Sequence, residues 1–223
     1  MTPEQLTGKT KSHLTQFQLD DATFDVHPAV ISDLQALIHA AAHAGLSCRI
    51  ASGFRSFDRQ LAIWNRKMSG DVPIYDENKK LIEKSQPDQE RVKAILKWSA
   101  LPGASRHHWG TDFDVFDPSL LPKGTSLLLE PWEYYSGHQA EFYQWLSQHA
   151  QQYGFYFPYN EDRGGVACEP WHISHHESST ECMQALSVST LEQQLADSDL
   201  QGKSVILNQI EQIYRQYVIN VNR

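Results

Sequence analysis

A chain of 223 residues with 40% hydrophobic and 21% charged residues has the size and composition of one soluble globular domain with a proper core, with room for an appendage. A formal net charge of −8 and the lack of a basic stripe argue against a nucleic-acid partner, because phosphate binding needs a basic face. No run reaches the roughly 18 apolar residues of a membrane span, and the opening MTPEQLTGKTKSHLTQF lacks the apolar segment of a signal peptide. The default expectation is therefore a cytoplasmic protein, or a periplasmic one if a leader has already been removed.

Residues 1–25 read as polar and irregular. His27-Pro28 then opens a helix in which Val30, Ile31, Leu34, Leu37, Ile38 and Ala41 recur at helical spacing, and Gly45 ends it. Leu46 to Ala51 reads as a strand, Ser52-Gly53 as a turn, and Phe57 to Met68 as a helix with Leu61 and Trp64 on one side. The charged stretch 69–89, broken by Pro73 and Pro87, reads as an excursion or lid with a hairpin around Asp76-Glu77-Asn78, followed by a helix from Pro87 to Trp98. After Gly110 the residues alternate, Thr111, Phe113 and Val115 against Asp112, Asp114 and Phe116, which is a strand pattern. Residues 117–137 form a loop expected to wall a cleft. His138 to Tyr153 is a helix, Phe155 to Pro158 a short strand, and a polar turn leads into a strand carrying Glu169 and His172. The tail from Leu191 to Val221 is helical, interrupted at Asp197 to Gly202, with an apolar stripe of Ile206, Ile210, Ile213, Tyr214 and Tyr217. The expected division is a catalytic unit at 1–188 and a helical extension at 189–223, packing on that unit or on a partner chain.

The chemistry-bearing residues fall in separated fragments. His107 and Asp114 lie seven apart, and His172 follows Glu169 by three. Two imidazoles and one carboxylate leave a fourth position open on zinc, as in a catalytic rather than a structural site. Spacing leaves His108 and Asp112 as competing ligands, with Asp112 otherwise behind a ligand or facing substrate. A free Glu beside such an ion suits a general base, although positions three apart on a regular strand face opposite ways, a difficulty that Pro170 could relieve. Arg55 suits a growing oxyanion or a substrate carboxylate. The bland alternatives are a surface His, an exposed strand Asp and a surface ion pair for Arg55. Ser52 and Ser56 suit turn and cap roles, and Trp109 and Trp171 suit packing. The three cysteines, Cys48, Cys168 and Cys182, are too few and odd in number for a disulfide framework; only Cys168, beside Glu169, invites comparison with a thiolate ligand.

Together the fragments resemble the M15 metallopeptidase family, the D-alanyl-D-alanine carboxypeptidases and dipeptidases related to the vancomycin-resistance enzymes. The family pattern Ser-x-His-x-x-Gly-x-Ala-x-Asp is matched by Ser105, His107, Gly110 and Asp114; Glu-Pro-Trp-His stands at 169–172; Ser-Gly-[Tyr/Phe]-Arg-Ser with a following Gln stands at 52–56 and Gln60. Order and separations agree over about residues 52–176. The resemblance implies an α+β fold, with helices on a small antiparallel sheet. It implies zinc, one ion per chain, held by His107, Asp114 and His172, thereby preferring His107 over His108 and Asp114 over Asp112. It also implies Glu169 as base, Arg55 assisting the transition state or substrate, and Gln60 and Ser105 in the substrate pocket. Trp171, inside the Glu-Pro-Trp-His element, and Asp112, where the family has Ala, join the expected substrate contacts. Asp112 adds negative charge near the ion, and Ser174 and His175 stand where the family often has an aromatic residue.

The activity implied is removal of terminal D-alanine from bacterial peptidoglycan-type peptides. The same residues would serve a D,D-dipeptidase or a crosslink endopeptidase, separated by pocket depth, and a zinc-binding module without turnover is the more distant alternative. The expected partner is a peptide ending in D-Ala or a peptidoglycan fragment.

Overall fold

The computed structural model describes residues 1–222. In chain order the elements are α1 (Pro3–Leu6), β1 (Thr15–Leu19), β2 (Ala22–Val26), α2 (Ile31–His43), β3 (Arg49–Ser52), α3 (Phe57–Met68), β4 (Ile74–Tyr75), β5 (Leu81–Ile82), α4 (Asp88–Trp98), β6 (Asp112–Phe116), α5 (Pro131–Tyr135), α6 (Ala140–His149), β7 (Phe155–Tyr156), β8 (His172–His175), α7 (His176–Ala185), α8 (Val188–Ala196), α9 (Lys203–Asn208) and α10 (Ile210–Ile213). This is the α+β architecture expected.

A four-stranded antiparallel sheet in the order β3-β6-β8-β7 sits at the centre. Its central strand β6 is buried on both faces from Asp112 to Val115, so its alternation separates two interior environments rather than core from solvent. Phe113 and Val115 enter one apolar core with Leu34 and Leu37 of α2, Phe142 and Leu146 of α6, and Ile173 of β8. Full burial of each such side chain contributes about 1.5–3 kcal/mol. The opposite face carries Asp112 and Asp114. A second core joins Phe57 and Trp64 of α3, Val92 and Ile95 of α4, and Trp109.

The tail belongs to this second core. Leu191, Leu195, Ile206, Ile210 and Ile213 pack with Trp64 and Ile95, and Trp64 Nε1 donates to Gln201 O at 3.1 Å. Several segments differ from the sequence expectation. Residues 15–26, mostly within the stretch read as irregular, form the β1–β2 hairpin, turned at Asp20, which adopts φ 50. Pro131–Tyr135 is helical within the expected loop. Residues 176–185 form α7, capped by the His175 side chain, which accepts from Ser178 N.

Candidate metal centre

Three local devices bring the separated fragments together. Ser105 leads into a 3-10 turn at Arg106–Trp109 that Gly110 ends in the left-handed conformation (φ 70), and β6 begins two residues later. That reversal folds His107 back over the strand, placing its Nε2 3.5 Å from Asp114 Oδ2. A side chain at 110 would collide with Leu14 and the His27 backbone, so glycine is required there for space as well as for φ. Next, β6 and β8 pair in a register that sets Asp114 opposite His172; His172 Nδ1 lies 3.3 Å from Asp114 Oδ1. Finally, Glu169 is not on a strand. His172 N donates to Glu169 O at 3.1 Å, closing a turn through Pro170 and Trp171. The turn removes the strand-parity difficulty and puts Glu169 Oε2 3.2 Å from His172 Nδ1.

Among the described residues, His107, Asp114 and His172 form one group whose ligand atoms all lie within 4.8 Å of one another, and all three are buried. Asp114 Oδ1 and His172 Nδ1 are buried with no hydrogen-bond partner. Such atoms are costly unless something fills the gap. The other ring nitrogens are already committed: His107 Nδ1 donates to Gly53 O at 2.9 Å, and His172 Nε2 donates to Asp112 Oδ1 at 3.0 Å. These bonds leave His107 Nε2 and His172 Nδ1 as the lone-pair nitrogens, both facing Asp114. The donor set and the orphaned atoms fit a divalent cation such as zinc. Burial favours a neutral His172, but the carboxylates of Asp112, Asp114 and Glu169 around the ring outweigh it and raise its pKa well above the ordinary value. Burial likewise opposes ionisation of Asp114, yet the neighbouring His107 and His172 hold its pKa well below the usual range. The pocket is built to receive positive charge.

Asp112 is fully buried behind His172 and does not line the cleft. Arg106 Nε donates to its Oδ1 at 2.7 Å and Thr111 Oγ1 to its Oδ2 at 2.6 Å. Despite burial, Arg106 and His172 keep its pKa depressed. The expected substrate contact is therefore corrected: this carboxylate supports a histidine. Arg106 Nη2 also bonds Ser174 Oγ at 2.6 Å and Tyr156 OH at 3.0 Å, so Ser174 serves the same network. Gln60 is also fully buried and off the cleft; it accepts from Arg55 Nη1 at 3.0 Å and donates to Ala100 O at 2.7 Å. With Ser52 Oγ, 3.1 Å from Nη2, it aims Arg55 rather than meeting a ligand.

Arg55, Ser105, Glu169 and Trp171 do line the cleft, a cavity of about 220 Å³ that includes the cluster. Tyr159, which the sequence reading did not single out, joins them, its ring packed edge-on to His172 at 5.1 Å. No spacing rule marked it, because it sits in a loop ten residues before Glu169. His108 turns away, its Nδ1 donating to Arg55 O at 2.6 Å and its Nε2 accepting from Gly103 N at 3.1 Å. Cys168 lies outside the cluster, and all three cysteines are free.

Among the described residues no helix is long and apolar enough to cross a membrane. An uncharacterized protein of Haemophilus influenzae is 37% identical over 122 residues, 53% of this chain and 93% of that protein. A D-alanyl-D-alanine carboxypeptidase of Enterococcus faecalis is 28% identical over 145 residues, 64% of this chain and 45% of the relative. The fold is shared with VanYB in complex with D-alanine-D-alanine (TM-score 0.52, 23% identity, 83% of this chain and 90% of that one). It is also shared with the LD-carboxypeptidase LdcB (TM-score 0.52, 19% identity, 92% and 78%). The family model VanY, D-alanyl-D-alanine carboxypeptidase, matches residues 23–178, a span that contains all three motifs and every residue of the cluster, and the chain belongs to that family.

Proposed function

We propose that this protein is a zinc-dependent carboxypeptidase that removes a terminal D-alanine from peptidoglycan-type peptides. The observation that carries the reading is the buried His107, Asp114 and His172 cluster, with its two unsatisfied atoms and the Glu169 carboxylate beside it. Those three side chains would hold the metal, which when bound would lower the pKa of water towards about 7 and polarise a carbonyl. Glu169 takes the proton of the attacking water as its oxygen adds to the scissile carbonyl carbon. When the C–N bond breaks, the same carboxyl group passes that proton to the leaving amine. Arg55, held in a fixed orientation by Ser52 and Gln60, presents its guanidinium to the negative charge that grows on the carbonyl oxygen or is carried by the substrate terminus. Burial lowers the Arg55 pKa, with Asp114 and Glu169 acting against that loss. Ser105 and Trp171 form cleft wall against the substrate. Residues 1–188 carry this machinery, and the helices of 189–222 pack against α3 and α4.

The inner cavity, about 220 Å³, adjoins a larger one of about 660 Å³. A strict dipeptidase needs no such extension, which favours the carboxypeptidase reading over it. The test is release of free D-alanine from a peptide ending in D-Ala-D-Ala, comparing zinc-loaded with chelated protein. Metal-dependent release supports the reading; stoichiometric zinc without release argues for a crosslink endopeptidase or a binding module.

A further inference from the structure

Trp98, Leu129, Glu169 and Trp171 line both the metal cleft and the larger cavity outside it. The two spaces are therefore neighbours that share a wall at the Glu169 carboxylate. The outer walls are the β4–β5 hairpin, through Tyr75 and Lys79, and the loop Leu128 to Pro131.

These walls are held in place before any ligand arrives. Trp98 Nε1 donates to Tyr75 O at 3.2 Å, tying α4 to the hairpin. The fully buried Glu133 carboxylate accepts from Leu128 N at 3.1 Å and Glu130 N at 2.9 Å. Between them Leu129 is held at φ 57, a conformation that persists only where its surroundings enforce it. Preorganised walls of this kind lower the entropic cost of binding.

Two lysines face the outer cavity, and their charges are handled differently. Lys79 Nζ pairs with Glu130 at 3.3 Å, in solvent. Lys67 is half-buried on α3, donates to Ser99 Oγ, and forms no ion pair among the described residues. Burial and the neighbouring Arg55 lower its pKa, with Glu169 acting against them. A partly desolvated cation without an ion-pair partner, on the wall of a preformed cavity, is complementary to an anion brought by a ligand.

The direction of the substrate follows from space. A carboxypeptidase needs a small enclosure for one leaving residue and an open path for the acyl chain. The inner cavity is the smaller, about 220 Å³, and the outer one beside it, about 660 Å³, has room for an extended chain. We propose that the outer cavity is the subsite for the acyl side of the peptide, where Lys67 receives a free side-chain carboxylate, so that acidic stem peptides are selected over amidated ones. This rests on the peptidase reading above.

The test uses the full-length, zinc-loaded chain carrying Glu169→Gln, so that peptides bind without being cut. The probes are L-Ala-γ-D-Glu-diaminopimelyl-D-Ala-D-Ala and the same peptide with its internal carboxyl groups amidated, titrated by calorimetry. The acidic peptide is expected to bind at least about tenfold more tightly, with the preference shrinking as salt is added. Adding Lys67→Met should bring the ratio of the two affinities close to one, and Lys67→Arg should keep it well above one. Equal binding of the two peptides, or a preference that survives Lys67→Met, overturns the proposal. The peptide pair and the salt series need no change at position 67, so a poorly folding variant does not decide the outcome. Turnover by the unsubstituted protein is read separately. Cleavage of both peptides without preference keeps the peptidase and removes the subsite; preferential binding without cleavage by the unsubstituted chain keeps the subsite and removes the peptidase.

Discussion

Glu169 and His172 are the two ends of a single turn, and that turn holds the Glu169 carboxylate 3.2 Å from the His172 imidazole. One short peptide therefore supplies both a candidate ligand and the candidate base.

Replacing Glu169 by Gln separates these duties. The amide keeps the shape and cannot accept the proton. Hydrolysis should fall by about 10²–10⁴-fold or more, while zinc stoichiometry by atomic absorption stays at the unsubstituted value. Surviving turnover would mean that Glu169 is not the base.

Asp112 and Arg106 are a buried charge pair supporting His172. Asp112→Ala should weaken metal binding by roughly 10–100-fold, the usual loss when the carboxylate behind a ligating histidine is removed. It also strands the Arg106 guanidinium, a loss of about 3–5 kcal/mol for a broken buried pair. Arg106→Met together with Asp112→Ala should recover part of the stability and none of the metal affinity. Chelator competition and denaturant unfolding read the two effects apart.

His108 carries a pH dependence with a definite sign. Burial depresses its pKa from the ordinary 6.5 to about 3, and its Nε2 must stay unprotonated to accept from Gly103 N. The unfolded chain then binds a proton that the folded one refuses. Stability from this group is complete above the unfolded pKa of 6.5, declines as pH falls from there, and levels off below about 3. Denaturant unfolding of the chelated protein should show this decline, and His108→Gln should flatten it while lowering stability at neutral pH. An unchanged slope in the variant would place the titration elsewhere.

The tail should be indispensable to folding. Ending the chain after Ser187 removes Leu191, Leu195, Ile206, Ile210 and Ile213 from the core they share with Trp64 and Ile95. It also removes the Tyr214 hydroxyl that donates to Leu186 O at 2.6 Å. The shortened chain is expected to bind hydrophobic dye and lose near-ultraviolet dichroism. A cooperative melt at the full-length midpoint would mark the tail as a true appendage.

Helices with strong apolar period, such as α2 and α3, were legible because burial on one face imposes that period. The hairpin β1–β2 was obscured by its polar exposed positions and by a turn built on Asp20 and Asp21 rather than on glycine. α7 was missed because Ser178, Ser179 and Thr180 are weak helix formers, and its start depends on the cap from His175. Within the site, motif residues were visible as chemical types, but their order behind one another was not. Asp112 and Gln60 carry the same functional groups as residues that touch a ligand. Only packing shows that one backs His172 and the other aims Arg55.

The pairing of Asp114 with His172 across β6 and β8 joins positions 58 residues apart in the chain. A slip of one residue in that register would turn one of the two side chains to the opposite face of the sheet. An ion held by both residues would therefore bind only the correctly registered sheet, and metal capture would act as proofreading of the fold as well as equipment for its chemistry.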